Sequence, residues 1–207
     1  MKLLIATRNL KKRNEMQALL AGLDVEVVTL DEFPNAPEVD EDGATLEENA
    51  AKKAIEVARA CRVAAVADDS GLFVDALGGR PGVHSARYAG PDPTPEKLCT
   101  KLLAELDGVP EARRCAHFAS CIAMADDLGR VVVTARGRVD GRIGNEMRGR
   151  GGFGYDPVFI YEPTGKTFAE MAPDEKNAVS HRGRALRDFR RRFERYLTSQ
   201  NATIEGR

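Results

Sequence analysis

The sequence predicts a mixed α/β domain, and three observations predict it. Short apolar runs of β-compatible residues alternate with stretches of helical spacing from Lys2 to about Leu106. Two longer apolar runs, 115–125 and 130–139, flank the turn residues Asp126-Asp127-Leu128-Gly129 and read as a hairpin inserted after that alternation. The chain of 207 residues is 43% hydrophobic and 30% charged, enough apolar material for a real core and too much for a disordered polymer.

Each element has a local reason. Lys2 to Ala6 is an apolar strand run, and Met16, Leu19, Leu20 and Leu23 follow at helical spacing. Val25 to Val28 reads as a second strand, and Asp31 to Gly43 as an acidic, proline-containing loop. Thr45-Leu46-Glu47-Glu48 has the form of a capping box and opens a helix whose apolar face is Leu46, Ala50, Ala54, Val57, Ala58 and Cys61. Val63 to Ala67 is wholly apolar, as a strand buried on both faces would be, and is expected to stop at Asp68-Asp69-Ser70-Gly71. Gly78 to Gly82 is rich in turn residues, and Thr94-Pro95 supplies an N-cap and a proline at the first helical position for a helix to about Leu106. Arg148 to Asp156 is a glycine-dense loop, and Pro157 to Tyr161 a short strand. Ser180 caps a final helix that turns Leu186, Phe189, Phe193 and Leu197 inward. A single domain over 1–199 is expected, with 200–207 a tail whose Ile204-Glu205-Gly206-Arg207 ending looks like a protease-site remnant left by protein expression.

Charge narrows the function. Lys and Arg total 31 against 32 Asp and Glu, a net charge of -1, so no global field holds nucleic acid or an anionic membrane. No run approaches the roughly 18 apolar residues of a membrane span, and Met1-Lys2-Leu3-Leu4-Ile5 meets Thr7-Arg8-Asn9 too soon for a secretory leader, so a cytoplasmic protein is expected. Cys61, Cys99, Cys115 and Cys121 form no CxxC pair and read as reduced core thiols rather than zinc ligands or disulfides.

Four segments carry chemistry. Thr7-Arg8-Asn9-Leu10-Lys11-Lys12 lies between strand 1 and helix 1, where helix-start N–H groups and Lys12 can meet a phosphate, although a capping turn with solvated lysines explains the residues too. Asp68-Asp69-Ser70-Gly71, with Glu41, Glu47 and Glu48 upstream, offers hard oxygen ligands; an Asx turn ending a strand is the plainer reading. Adjacent strand residues face opposite ways, so Asp68 and Asp69 are expected to do different jobs. Gly151-Gly152-Phe153-Gly154-Tyr155-Asp156-Pro157 lets backbone approach a ligand and presents two aromatic faces, as would a tight turn over a core. Lys176 with Ser180-His181-Arg182 gathers cationic donors at a helix start, or is surface charge beside an N-cap. Together they supply what one nucleoside triphosphate needs: phosphate donors, metal oxygens, a slot for the base and a reader of its edge.

In this order the segments resemble the Ham1/RdgB-type inosine/xanthosine triphosphate pyrophosphatases. The resemblance rests on Thr7-x-Asn9-x-x-Lys12, Gly43-x-Thr45-x-x-Glu48-Asn49-Ala50, Ala67-Asp68-Asp69-Ser70-Gly71-Leu72, Leu77-Gly78-Gly79-x-Pro81-Gly82, Ser85-Ala86-Arg87, the 151–157 segment and Glu175-Lys176-x-x-x-Ser180-His181-Arg182, and it spans residues 3 to about 197. It implies an elongated, twisted mixed sheet whose helices form two lobes around a central nucleotide cleft. It implies hydrolysis of non-canonical purine triphosphates (ITP, dITP, XTP) to monophosphate and pyrophosphate by a Mg²⁺-dependent homodimer, with no membrane and no stable nucleic-acid partner. By the same resemblance Asp69 is the proton acceptor and a metal ligand, with Glu41 as a second metal carboxylate. Thr7, Arg8, Asn9, Leu10, Lys11, Lys12, Ser70, Phe153, Gly154, Tyr155, Asp156, Lys176, His181 and Arg182 are then substrate contacts. The rivals are a Maf-like pyrophosphatase of other base specificity and a nucleic-acid-binding module built on the arginines of the last helix, which read more simply as its solvated face.

Overall fold

The computed structural model of the chain describes residues 1–91 and 93–205, with side chains through residue 200. Its strands are β1 (Lys2–Ile5), β2 (Glu26–Thr29), β3 (Ala64–Val74), β4 (Pro81–Gly82), β5 (Cys115–Ala125), β6 (Val131–Ile143), β7 (Phe159–Tyr161) and β8 (Lys166–Thr167). The helices are α1 (Leu10–Leu20), α2 (Leu46–Cys61), α3 (Pro95–Glu105), α4 (Pro173–Val179) and α5 (His181–Glu205). Among the described residues the strands follow the order β2-β1-β3-β5-β6-β7-β8, with β4 paired to β3. The sheet is mixed, as expected: β1 runs parallel to β2 and to β3 (Leu3 opposite Val27 and Ala64), whereas β4, β7 and β8 pair antiparallel.

The chain divides into two compact units. One comprises 1–69, 120–137 and 185–207, the other 70–119 and 138–184. In the first, α1 and α5 cover one face of the sheet, and Leu3, Ile5, Met16, Leu20, Val66, Ile122, Met124, Phe189 and Phe193 form a buried cluster. Each such side chain contributes about 1.5–3 kcal/mol through removal from water. In the second, Leu72, Val74, Leu98, Leu102, Phe118, Val139, Tyr155, Phe159 and Phe168 do the same.

Local capping works largely as the residues dictate. Thr45 Oγ1 accepts from Glu48 N at 3.1 Å, but the Glu48 carboxylate reaches Ala44 N at 2.7 Å rather than Thr45, so the capping box closes one residue early. Thr94 Oγ1 accepts from Lys97 N, and Ser180 Oγ from Gly183 N. In the hairpin, Asp126 Oδ1 accepts from Leu128 N and Arg130 N, and Gly129 takes φ +75°.

Four expectations need correction. β3 does not stop at Asp68 but runs on to Val74, because side chains from distant segments satisfy Asp68, Asp69 and Ser70 inside the strand. β6 continues past Val139 to Ile143, where Arg142 and Ile143 find partners on β7. α4 went unread because its seven residues carry no apolar stripe. Of the four free thiols only Cys99 and Cys121 are buried; Cys61 is half-buried and Cys115 exposed. The tail expectation at 204–207 falls partly outside the described residues, since α5 ends at Glu205.

Candidate active site

The first unit gathers carboxylates and amines around β3. Alternation along the extended strand sends Asp68 and Asp69 to different partners. The Asp68 side chain is 1% exposed, and its Oδ2 lies 2.9 Å from Lys12 Nζ. Asp69, also buried, accepts a 3.0 Å hydrogen bond at Oδ2 from Asn49 Nδ2 on α2. Glu41 pairs with Lys53 of α2, and the Lys53 ammonium also donates to the Asp68 carbonyl at 3.4 Å. Burial pushes the Asp69 carboxyl above its ordinary range, and the Glu41 carboxylate nearby pushes it the same way; the Asn49 bond, Lys12 and Lys53 pull it back. A carboxyl so placed is a stronger base than a solvated one.

The turn from β1 into α1 is exposed along Arg8, Asn9, Leu10 and Lys11, with Thr7 and Lys12 half-buried. The turn is capped: Asn9 Oδ1 accepts from Lys11 N (3.0 Å) and Lys12 N (3.2 Å), and Thr7 Oγ1 from Asn9 N (3.3 Å). A phosphate binding at this turn therefore competes with Asn9 for those two donors.

The second unit carries an unbroken chain of contacts from Ser70 to Asp156. Arg182 Nη2 donates to Ser70 Oγ at 3.1 Å, and the buried guanidinium lies 5.1 Å from the centre of the Phe153 ring. Lys176 Nζ sits 4.5 Å from the same centre and bonds Asp156 Oδ2 at 2.5 Å. Asp156, itself buried, accepts from Phe153 N at 2.7 Å and so shapes the loop it ends. Gly152 is required there, since it adopts φ +74° and an added Cβ would stand 2.0 Å from that carboxylate oxygen.

Three of the expected contacts also have partners within the protein. Tyr155 is buried, its hydroxyl donating to the Ser85 carbonyl at 2.9 Å, and burial raises its phenol pKa. The buried His181 ring stacks on Phe118 at 4.6 Å between centroids. The Gly154 carbonyl accepts from the Cys99 thiol at 3.5 Å. Sequence reading assigned no role to Asn49 or Lys53, although a signal was there: both break the apolar stripe of α2, four residues apart on one face.

Within the first unit, then, buried acids stand beside a lysine and an amide, and within the second an arginine, an aromatic ring and a lysine follow one another. The chain belongs to the Ham1 family, whose model matches residues 3–192. The dITP/XTP pyrophosphatase of Geobacillus kaustophilus is 49% identical over 201 residues, 97% of this chain and 98% of that protein. A HAM1 protein from Coxiella burnetii superposes with a TM-score of 0.88 at 38% identity, covering 94% of this chain and 99% of that one. A nucleoside-triphosphatase / dITP/XTP pyrophosphatase from Mycobacterium abscessus does so with a TM-score of 0.77 at 46% identity, covering 90% and 96%.

Proposed function

We propose that this chain hydrolyses non-canonical purine nucleoside triphosphates, dITP and XTP with ITP beside them, to the nucleoside monophosphate and pyrophosphate. The observation that carries this is the match, nearly end to end, to relatives bearing that name. A homodimeric state and a cytoplasmic location belong to the same reading. For the rival built on the last helix, Arg190, Arg191 and Arg192 are engaged instead by Asp188 and Glu194 on the helix itself.

The chemistry needs a water oxygen to attack the α-phosphorus, with the bond from that phosphorus to the α–β bridging oxygen breaking and pyrophosphate leaving. Asp69 takes the proton that the water loses, and burial gives its carboxylate the basicity for this. Lys12 and Lys53 place positive charge beside the carboxylates and are suited to the phosphates.

The residues fit Mg²⁺. Among the described residues no three His, Cys, Asp or Glu side chains gather as a cage. Glu41 and Asp69 offer hard oxygens close enough to repel one another, and Mg²⁺ is commonly held by one or two carboxylates plus water and phosphate. When bound, the ion neutralises charge on the triphosphate and its leaving group.

Base choice is assigned to Arg182 and Phe153. Hypoxanthine and xanthine carry an acceptor oxygen at C6 where adenine carries a donor, so the Arg182 guanidinium favours the former, with Phe153 as the stacking face. An unpaired buried donor costs about 1–3 kcal/mol. Guanine shares that oxygen, so its rejection depends on its 2-amino group. The test is hydrolysis of dITP, XTP, ITP, GTP and ATP with Mg²⁺, quantifying monophosphate and pyrophosphate. Stepwise release of single phosphates, or equal rates on all five, would overturn the reading.

A further inference from the structure

Asn49 stands where a helix interior ordinarily carries a hydrophobic or a strong helix former. It is 1% exposed, lies one turn into α2 among Leu46, Ala50 and Ala54, and is the only polar residue of that helix buried outright. Its carboxamide is used at both ends. Nδ2 donates to Asp69 Oδ2 at 3.0 Å, and Oδ1 accepts from Gly43 N at 2.7 Å. The Gly43 bond decides the orientation of the amide, because only the oxygen can accept from a backbone N–H, which turns the nitrogen toward the aspartate. Gly43 is in turn matched to this contact: a Cβ there would stand 2.7 Å from Asn49 Oδ1 and 2.9 Å from Glu48 Cβ.

Resting on the reading of Asp69 as the base, we propose that Asn49 is a positioning residue for the hydrolysis, aiming the Asp69 carboxylate through an amide whose own orientation is set by Gly43. An amide N–H in a fixed place directs the carboxylate oxygen that accepts from it, and a displacement of about 1 Å at a reacting group can cost on the order of 100-fold in rate. An amide rather than an acid suits this place because it donates to the aspartate without adding a third charge to the Glu41 and Asp69 pair.

The test compares Asn49→Ala, Gly43→Ala, Asp69→Asn and the Asn49→Ala/Asp69→Asn double variant. Each is measured for kcat and KM on dITP, together with the denaturation midpoint. Loss of the aim is expected to lower kcat by about 10- to 100-fold in Asn49→Ala, with KM changed less than about threefold. Gly43→Ala, which disturbs the amide from its other end, is expected to share that pattern. The double variant should be no slower than Asp69→Asn, because a residue that acts through the base has nothing left to act on. A further loss in the double variant, a change confined to KM, or wild-type kcat in folded Asn49→Ala would overturn the role of Asn49. Wild-type kcat in Asp69→Asn would instead overturn the reading of Asp69. Should Asn49→Ala not fold, Gly43→Ala and its double variant with Asp69→Asn decide the same question.

Discussion

Lys12 is paired with Asp68, the residue before Asp69: its ammonium lies 2.9 Å from Asp68 Oδ2, with 17% of the lysine side chain and 1% of the aspartate exposed. A carboxylate this deep needs its cation. Removing one member of a buried pair costs about 3–5 kcal/mol, because the other is left charged and uncompensated. Lys12→Met should therefore lower unfolding free energy by that order in urea titration, and Lys12→Met/Asp68→Asn should recover part of it. Equal stability of Lys12→Met and wild type would show that the pair is not what holds Asp68.

Asp69→Asn keeps the size of the side chain and removes the proton acceptor. Turnover of dITP is expected to fall at least 100-fold, within the range ascribed to general base catalysis, while equilibrium binding of the nucleotide stays measurable by calorimetry. Near-wild-type turnover would remove the base from the scheme. Chelation by EDTA should likewise stop the reaction, and added Mg²⁺ restore it.

Helix α2 shows how far the sequence could be read. Thr45 and the Leu46-Ala50-Ala54-Val57-Ala58-Cys61 stripe are local signals, and the helix lies where they place it. The same locality misled at β3. Asp68-Asp69-Ser70-Gly71 carries the composition of a turn, yet it lies mid-strand because Lys12, Asn49 and Arg182, from three distant segments, meet those side chains. No window of sequence contains that information. Asn49 was legible as an anomaly on an apolar stripe but not as a partner of Asp69. The core destinations of Tyr155 and His181 depended on Ser85 and Phe118, about 70 and 60 residues earlier in the chain.

The thiols give a chemical test of burial. Burial pushes Cys99 and Cys121 up to about 12, so at pH 8 both remain protonated and unreactive, since only the thiolate attacks. Raising the pH toward 9 leaves them far below their pKa, so the native protein should still protect both. Cys115 is exposed and should be modified by a thiol reagent within minutes, and all four should react in urea. Mass spectrometry of the labelled protein counts the sites; rapid labelling of Cys99 in the native state would contradict its place beneath Gly154.

Base selection is tested at Arg182, whose guanidinium bonds Ser70 and lies over Phe153. Arg182→Ala removes a donor that suits an acceptor at C6 and leaves Ser70 and the Phe153 ring without that neighbour. The ratio of kcat/KM for ITP over ATP is expected to drop by about 10-fold or more, the equivalent of one lost polar contact at about 1.4 kcal/mol per decade. Lys176→Met is the control, because Lys176 approaches the same ring but is tied to Asp156, so its loss should weaken binding of both nucleotides alike. If Arg182→Ala keeps the full preference for ITP, discrimination lies elsewhere and the guanidinium serves only to hold β3 and the 153 loop together.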